Sequence, residues 1–234
     1  MGAIFRRDLL GYFTSPVGYI FLGVFYAVSG FFFYSSSISA GSTDLSQLFV
    51  LLYFALLVLV PILTMRSFSE EKKQKTEQCI LTAPVSLGGI VAGKFLSAFV
   101  VYLIGISCTV VYAVTVSFFA QPDWNVVLGN IMGLVLLGAS FVALGIFISS
   151  LTENQMVAAI LSMVLILALY ILQVIANYVS VEWIATALTS IAFSSRYQTF
   201  TAGILDFSNV LFFVSATVIF LFLTVRVLEK RRWG

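Results

Sequence analysis

The chain has no histidine, two cysteines and only 9% charged residues, and each shortage removes a class of function. Without histidine there is no Ser–His dyad, no H-E-x-x-H zinc site and no imidazole proton relay. Cys79 and Cys108 supply neither a metal spacing nor a disulfide framework. A soluble domain carries roughly 25% charged residues. With 61% hydrophobic residues and a mean hydropathy of +1.09, this chain belongs in a bilayer instead. Its long apolar runs also lack any mid-membrane Asp, Glu, Lys or Arg, the groups on which proton- and ion-driven transporters rely. No internal energy source is therefore expected.

One apparent nucleotide motif fails on inspection. Gly88 to Lys94 reads G-x-x-x-x-G-K, but Phe95 stands where a P-loop needs Ser or Thr for magnesium, and no strand precedes it. The three glycines, Gly88, Gly89 and Gly93, are expected to turn the chain back into the membrane, with Lys94 snorkelling to headgroups.

The charges themselves mark out the spans. Uncharged runs cover 9–43, 45–65, 95–122, 124–152, 154–181 and 207–225. Each supplies the roughly 20 residues needed to cross about 30 Å of hydrocarbon. The expected architecture is an all-α integral membrane protein forming a single transmembrane domain over 1–234, with spans at about 17–37, 46–64, 95–119, 126–148, 154–178 and 209–227. With the N-terminus inside, eleven of the twelve Lys and Arg residues face the cytoplasm and only Arg196 lies outside. Both termini are expected to be cytoplasmic. The run beyond Pro16 is too long for a signal-peptide core, so the N-terminus is expected to be retained.

Residues 3–13 place Ile4, Phe5, Leu9, Tyr12 and Phe13 on one side and Arg6, Arg7 and Asp8 on the other, which suits an interfacial elbow helix with its basic groups toward headgroups. Thr152-x-x-Gln155 reads as a capping box for the fifth span. Gly129 and Gly133 form a small-xxx-small pair. Residues 179–208 are too short to span twice and predict one or two short helices dipping into or capping the outer side.

The longest polar interruption is 65–94, which holds five of the twelve basic residues. Good helix formers from Phe68 to Leu81, with Glu71 four residues before Lys75, predict a solvated helix that Pro84 ends. A docking surface for a soluble subunit explains such a helix better than an idle connector.

The run Arg66 to Ser86, with Glu70-Glu71-Lys72, Thr76-Glu77 and Leu81-Thr82-Ala83-Pro84-Val85-Ser86, resembles the cytoplasmic loop of ABC-2 type permeases. Ser150 to Gln155 is similar to the inner turn of that family, and Phe200-x-x-Gly203-Ile204-Leu205-Asp206 to its outer segment. Within that family the chain resembles the gliding-motility-associated and nitrous-oxide-accessory permeases. Lys75 and Cys79-Ile80 depart from it, where many relatives carry Gly and a Leu pair.

The resemblance implies a permease subunit with no catalytic, cofactor-binding or metal-binding residues of its own, in the inner (cytoplasmic) membrane of a prokaryote. ATP and Mg would bind a separate cytoplasmic ATPase. Glu70, Glu71, Lys72, Thr76, Glu77, Leu81 and Pro84 would form the coupling surface, and Arg196 and Asp206 an outer gate. A second permease copy or related permease, membrane lipids and an extracytoplasmic auxiliary protein are the implied partners; nucleic acid is not. The function implied is export or release of a substrate. The alternative is a membrane scaffold that passes ATPase motion to an extracytoplasmic partner without moving a solute.

Overall fold

The structure, a computed structural model, describes residues 2–39, 41, 42, 44–76, 85–119, 123–179 and 181–233. Among them every regular element is helical, and six helices are long and apolar enough to cross a membrane. The elements are α1 (Gly2–Thr14), α2 (Pro16–Phe33, closed by a π-turn at Tyr34–Ile38), α3 (Ser46–Thr64), α4 (Ser69–Lys73), α5 (Leu87–Ile106), α6 (Cys108–Ser117), α7 (Trp124–Leu151), α8 (Gln155–Ala176), α9 (Glu182–Ile191), α10 (Phe193–Thr201) and α11 (Phe207–Trp233). The spans are α2, α3, the α5–α6 pair, α7, α8 and α11.

Short polar caps set the boundaries. Asp44 accepts from Ser46 N at 2.8 Å before α3, Asp123 from Asn125 N at 3.0 Å before α7, and Asp206 from Ser208 N at 2.9 Å before α11. At α8 the cap is Asn154, which accepts from Met156 N at 2.9 Å; Thr152 closes α7 instead of opening a capping box. Pro61 sits inside α3, and Thr64 Oγ1 donates to Val60 O at 3.0 Å beside it. Between α5 and α6, Ser107 and Thr109 hydroxyls bond back to Ile104 O and Ile106 O, both at 2.7 Å, which competes with the helical ladder at the break.

Helix α7 is the centre. Two-thirds of its most apolar window is buried, against 11% for α11 and 17% for α8, and α3, α5, α8, α10 and α11 all pack on it. Gly138 admits the Tyr102 ring of α5 so closely that a Cβ there would lie 2.1 Å from it, and Tyr102 Oη donates to Leu134 O at 2.7 Å. At Gly145 a Cβ would lie 2.0 Å from Thr64 Oγ1 of α3. The Gly129/Gly133 pair receives α10, with Phe200 packed over both. Outward-facing Leu, Ile, Val and Phe on α2, α8 and α11 remain exposed, as a hydrocarbon solvent permits.

Two expectations need correction. The helix foreseen over 68–81 stops at Lys73: Gln74 ends it and Lys75 turns left-handed at φ 56°, so Glu71 and Lys75 do not form a helical pair. Residues 77–84 lie outside the described set. Gly88, Gly89 and Gly93 do not turn the chain, because Ser86 accepts from Gly89 N at 3.2 Å and opens a continuous helix at Leu87.

Replacing Gly138 by Val forces a branched side chain into the Tyr102 ring. Thermal unfolding of the detergent-solubilised chain should register a loss of about 1–3 kcal/mol. Gly88→Ala, where a new Cβ meets nothing within 4 Å, should cost no stability.

A polar hub joins the helix ends

At one end of the bundle the chain passes from α3 into α4 through residues 65–68, and this passage is held by side chains from three other helices. Ser149 of α7 accepts from Phe68 N at 3.0 Å and Ser69 N at 3.1 Å, and donates its single proton to Met65 O at 3.0 Å. Tyr12 of α1 donates to Leu63 O at 3.2 Å. Lys94 of α5 donates to Ser67 O at 2.6 Å. Lys72 in turn donates to Ser150 O, at the last turn of α7.

Lys94 is 4% exposed, and its ammonium meets four groups. Besides Ser67 O, it lies 2.8 Å from Glu71 Oε1, 3.3 Å from Asp8 Oδ2 and 4.9 Å from the centre of the Phe68 ring. Arg7 reaches Glu71 at 2.7 Å and Asp8 at 2.8 Å. Arg66 binds Glu70 with two bonds, at 2.6 and 2.8 Å. Three cations and three carboxylates thus line one cavity of about 530 Å³, walled by α1, the 66–76 turn and α5.

This corrects two sequence readings. Lys94 does not snorkel outward: with α5 starting at Leu87 it lies seven residues, about 10 Å, along the helix, where Ser67 O, Glu71, Asp8 and the Phe68 ring surround its ammonium. Arg7 and Asp8 join the ion cluster instead of facing headgroups. For Arg7, burial is the largest influence and acts downward, but Asp8 and Glu71 outweigh it and its pKa is raised. Tyr12 is pushed up to about 12, chiefly by burial.

Of the residues assigned to coupling, Glu71 and Lys72 sit in this hub, Glu70 beside it, and Thr76 at its exposed rim, donating to Glu71 O at 3.2 Å. Glu77, Leu81 and Pro84 lie outside the described residues. The sequence reading passed over Tyr12, Lys94 and Ser149 as members. The signal for Lys94 was Ser86 followed by Gly89, a helix start that sets the lysine two turns deep. At the far end, Arg196 and Asp206 do not pair with one another. Arg196 donates to Asn209 Oδ1 at 2.9 Å and lies over the Phe212 ring, while Asp206 is an exposed helix cap.

Six apolar helices, with α7 at their centre, define a multi-pass helical membrane protein. The chain belongs to the ABC-2 family transporter proteins, whose family model matches residues 20–233. Membership makes it the permease type of subunit, whose family implies an ATPase on a partner chain. No curated protein matches it.

Two outcomes follow from the hub. Lys94→Met leaves Asp8 and Glu71 to share Arg7 in a mostly buried site and should cost about 1–3 kcal/mol in thermal unfolding. The exposed Arg226–Glu229 pair should lose at most about 1 kcal/mol on Arg226→Gln. A phenol with a folded pKa above its unfolded value of 10.0 contributes stability that is whole below pH 10 and lost as pH rises toward 12. Stability of the native chain should therefore fall faster between pH 10 and 11.5 than that of Tyr12→Phe, by about 1 kcal/mol per pH unit.

Proposed function

We propose that the chain is one half of an ABC exporter, coupling ATP hydrolysis by a separate cytoplasmic ATPase to export or release of a substrate. In this reading both termini and the 65–94 loop face the cytoplasm of a prokaryotic cell, which suits the distribution of Lys and Arg. α1 lies in the membrane interface as an elbow. α9 and α10 dip into or cap the outer side, where Arg196 and Asp206 flank the gate. A second copy or a related permease completes the path, and ATP and Mg belong to the ATPase alone. The gliding-motility-associated and nitrous-oxide-accessory permeases are the subgroup that the loop motif favours.

The observation that carries the reading is the anchoring of α4. It is bonded to α7 through Ser69 and Lys72, and to α1 and α5 through Glu71, which meets Arg7 and Lys94. A push on this short helix therefore reaches three other helices at once, which is what a coupling element needs. Glu70 and Thr76 line the same cavity, and Glu77, Leu81 and Pro84 are assigned to the coupling surface by the resemblance.

The test is purification of the complex from native membranes with Glu77→Lys or Pro84→Leu. Membrane insertion should persist while the ATPase is lost or its turnover no longer responds to the permease. Normal co-purification and turnover in both variants would remove the coupling assignment. ATP turnover coupled to an extracytoplasmic partner but to no solute would replace export by the scaffold reading.

A further inference from the structure

The last two turns of α11 are not absorbed by the coupling reading. Between Arg226 and Arg232 lie four cations and one carboxylate, and that carboxylate, Glu229, is already bound to Arg226 at 2.8 Å. Lys230 and Arg231 line a shallow recess together with Leu151, at the end of α7, and Val227. The same helix exposes Leu211, Val214, Val218 and Phe222, an apolar stripe that suits contact with hydrocarbon. Arg226 continues that stripe, 4.8 Å over the Phe222 ring, and Lys230 and Arg232 follow within two turns. Over those turns, about 10 Å of helix, the surface passes from the chemistry of acyl chains to that of headgroups.

We propose that this recess is a binding site for an anionic phospholipid. Lys230 and Arg231 take the phosphate-bearing headgroup and Leu151 and Val227 the glycerol and upper acyl carbons. Zwitterionic lipid, whose phosphate is offset by its own ammonium, gains little from the same cations. Free phosphate has no apolar part for Leu151 and Val227 to cover. The inference rests on the membrane assignment and not on the ATPase, so it stands or falls separately.

The test uses the full chain in detergent, titrated with phosphatidylglycerol, phosphatidylcholine or inorganic phosphate, with thermal stability and native mass spectrometry as readouts. Phosphatidylglycerol should be retained and raise Tm, and the other two should not. Each basic group near a lipid surface is worth about a factor of five in affinity, so Lys230→Gln/Arg231→Gln should bind phosphatidylglycerol about 30-fold more weakly. Lys73→Gln, at an exposed cation of α4 outside the recess, should bind as the native chain does. If the double variant fails to fold, Leu151→Glu decides, since it places a carboxylate beside both cations and should abolish retention. Equal retention in these variants, equal binding of phosphatidylcholine, or equal effect of inorganic phosphate would overturn the proposal.

Discussion

A helix that ends inside protein leaves carbonyl and amide groups that water cannot reach, and each must find a partner or cost the fold heavily. Where α3 ends, Leu63, Met65 and Ser67 present such carbonyls, and Phe68 and Ser69 such amides. Their partners come from Tyr12, Ser149 and Lys94, on three different helices. The requirement is local, yet meeting it fixes how α1, α5 and α7 stand against α3. One hydroxyl, Ser149, accepts two amides and donates to a carbonyl, which leaves it no freedom of rotation. The route from α3 to α4 is therefore fixed before any ionic contact is counted.

The centre of the bundle solves a different problem. In lipid, apolar side chains gain nothing by leaving hydrocarbon for one another, so helices associate by close packing and by the few polar bonds available. Glycines of α7 permit the approach: Gly138 receives a tyrosine ring and Gly145 a threonine. Polar bonds then fasten it, Tyr102 to Leu134 O at 2.7 Å and Ser140 to Phe213 O at 3.0 Å. The outer helices, whose exposed faces are Leu, Ile, Val and Phe, need no such fastening on their lipid side.

How much of this the sequence disclosed depends on whether the signal was a composition or a contact. Six spans were legible because unbroken apolar length is itself the physical requirement. One or two short helices after α8 were expected for the same reason, since the segment is too short to cross twice, and two form. The ion cluster was not legible. Arg7 and Asp8 are separated from Glu71 and Lys94 by long stretches of chain, and nothing in their spacing announces that they meet. Amphipathic patterning even misdirected the reading, for a charged helix face looks the same whether it points at headgroups or at a buried lysine. The helix expected over 68–81 erred in a related way. Propensity favoured continuing it, but Glu71 is drawn to Arg7 and Lys94, and the chain turns left-handed at Lys75.

The chemistry of the hub bears on what it can transmit. An aliphatic contact of the same size would hold by shape, and any displacement would open a void. Here Glu71 lies within reach of both Arg7 and Lys94, and Asp8 likewise, beside a cavity of about 530 Å³. Each carboxylate already has two cations available, so a small relative shift changes which bond is shorter without leaving a charge alone. Complete separation is the costly event, because it strands charges in a largely dry site. Such a joint resists pulling apart while tolerating slip. In the coupling role proposed for α4, that combination serves better than rigidity.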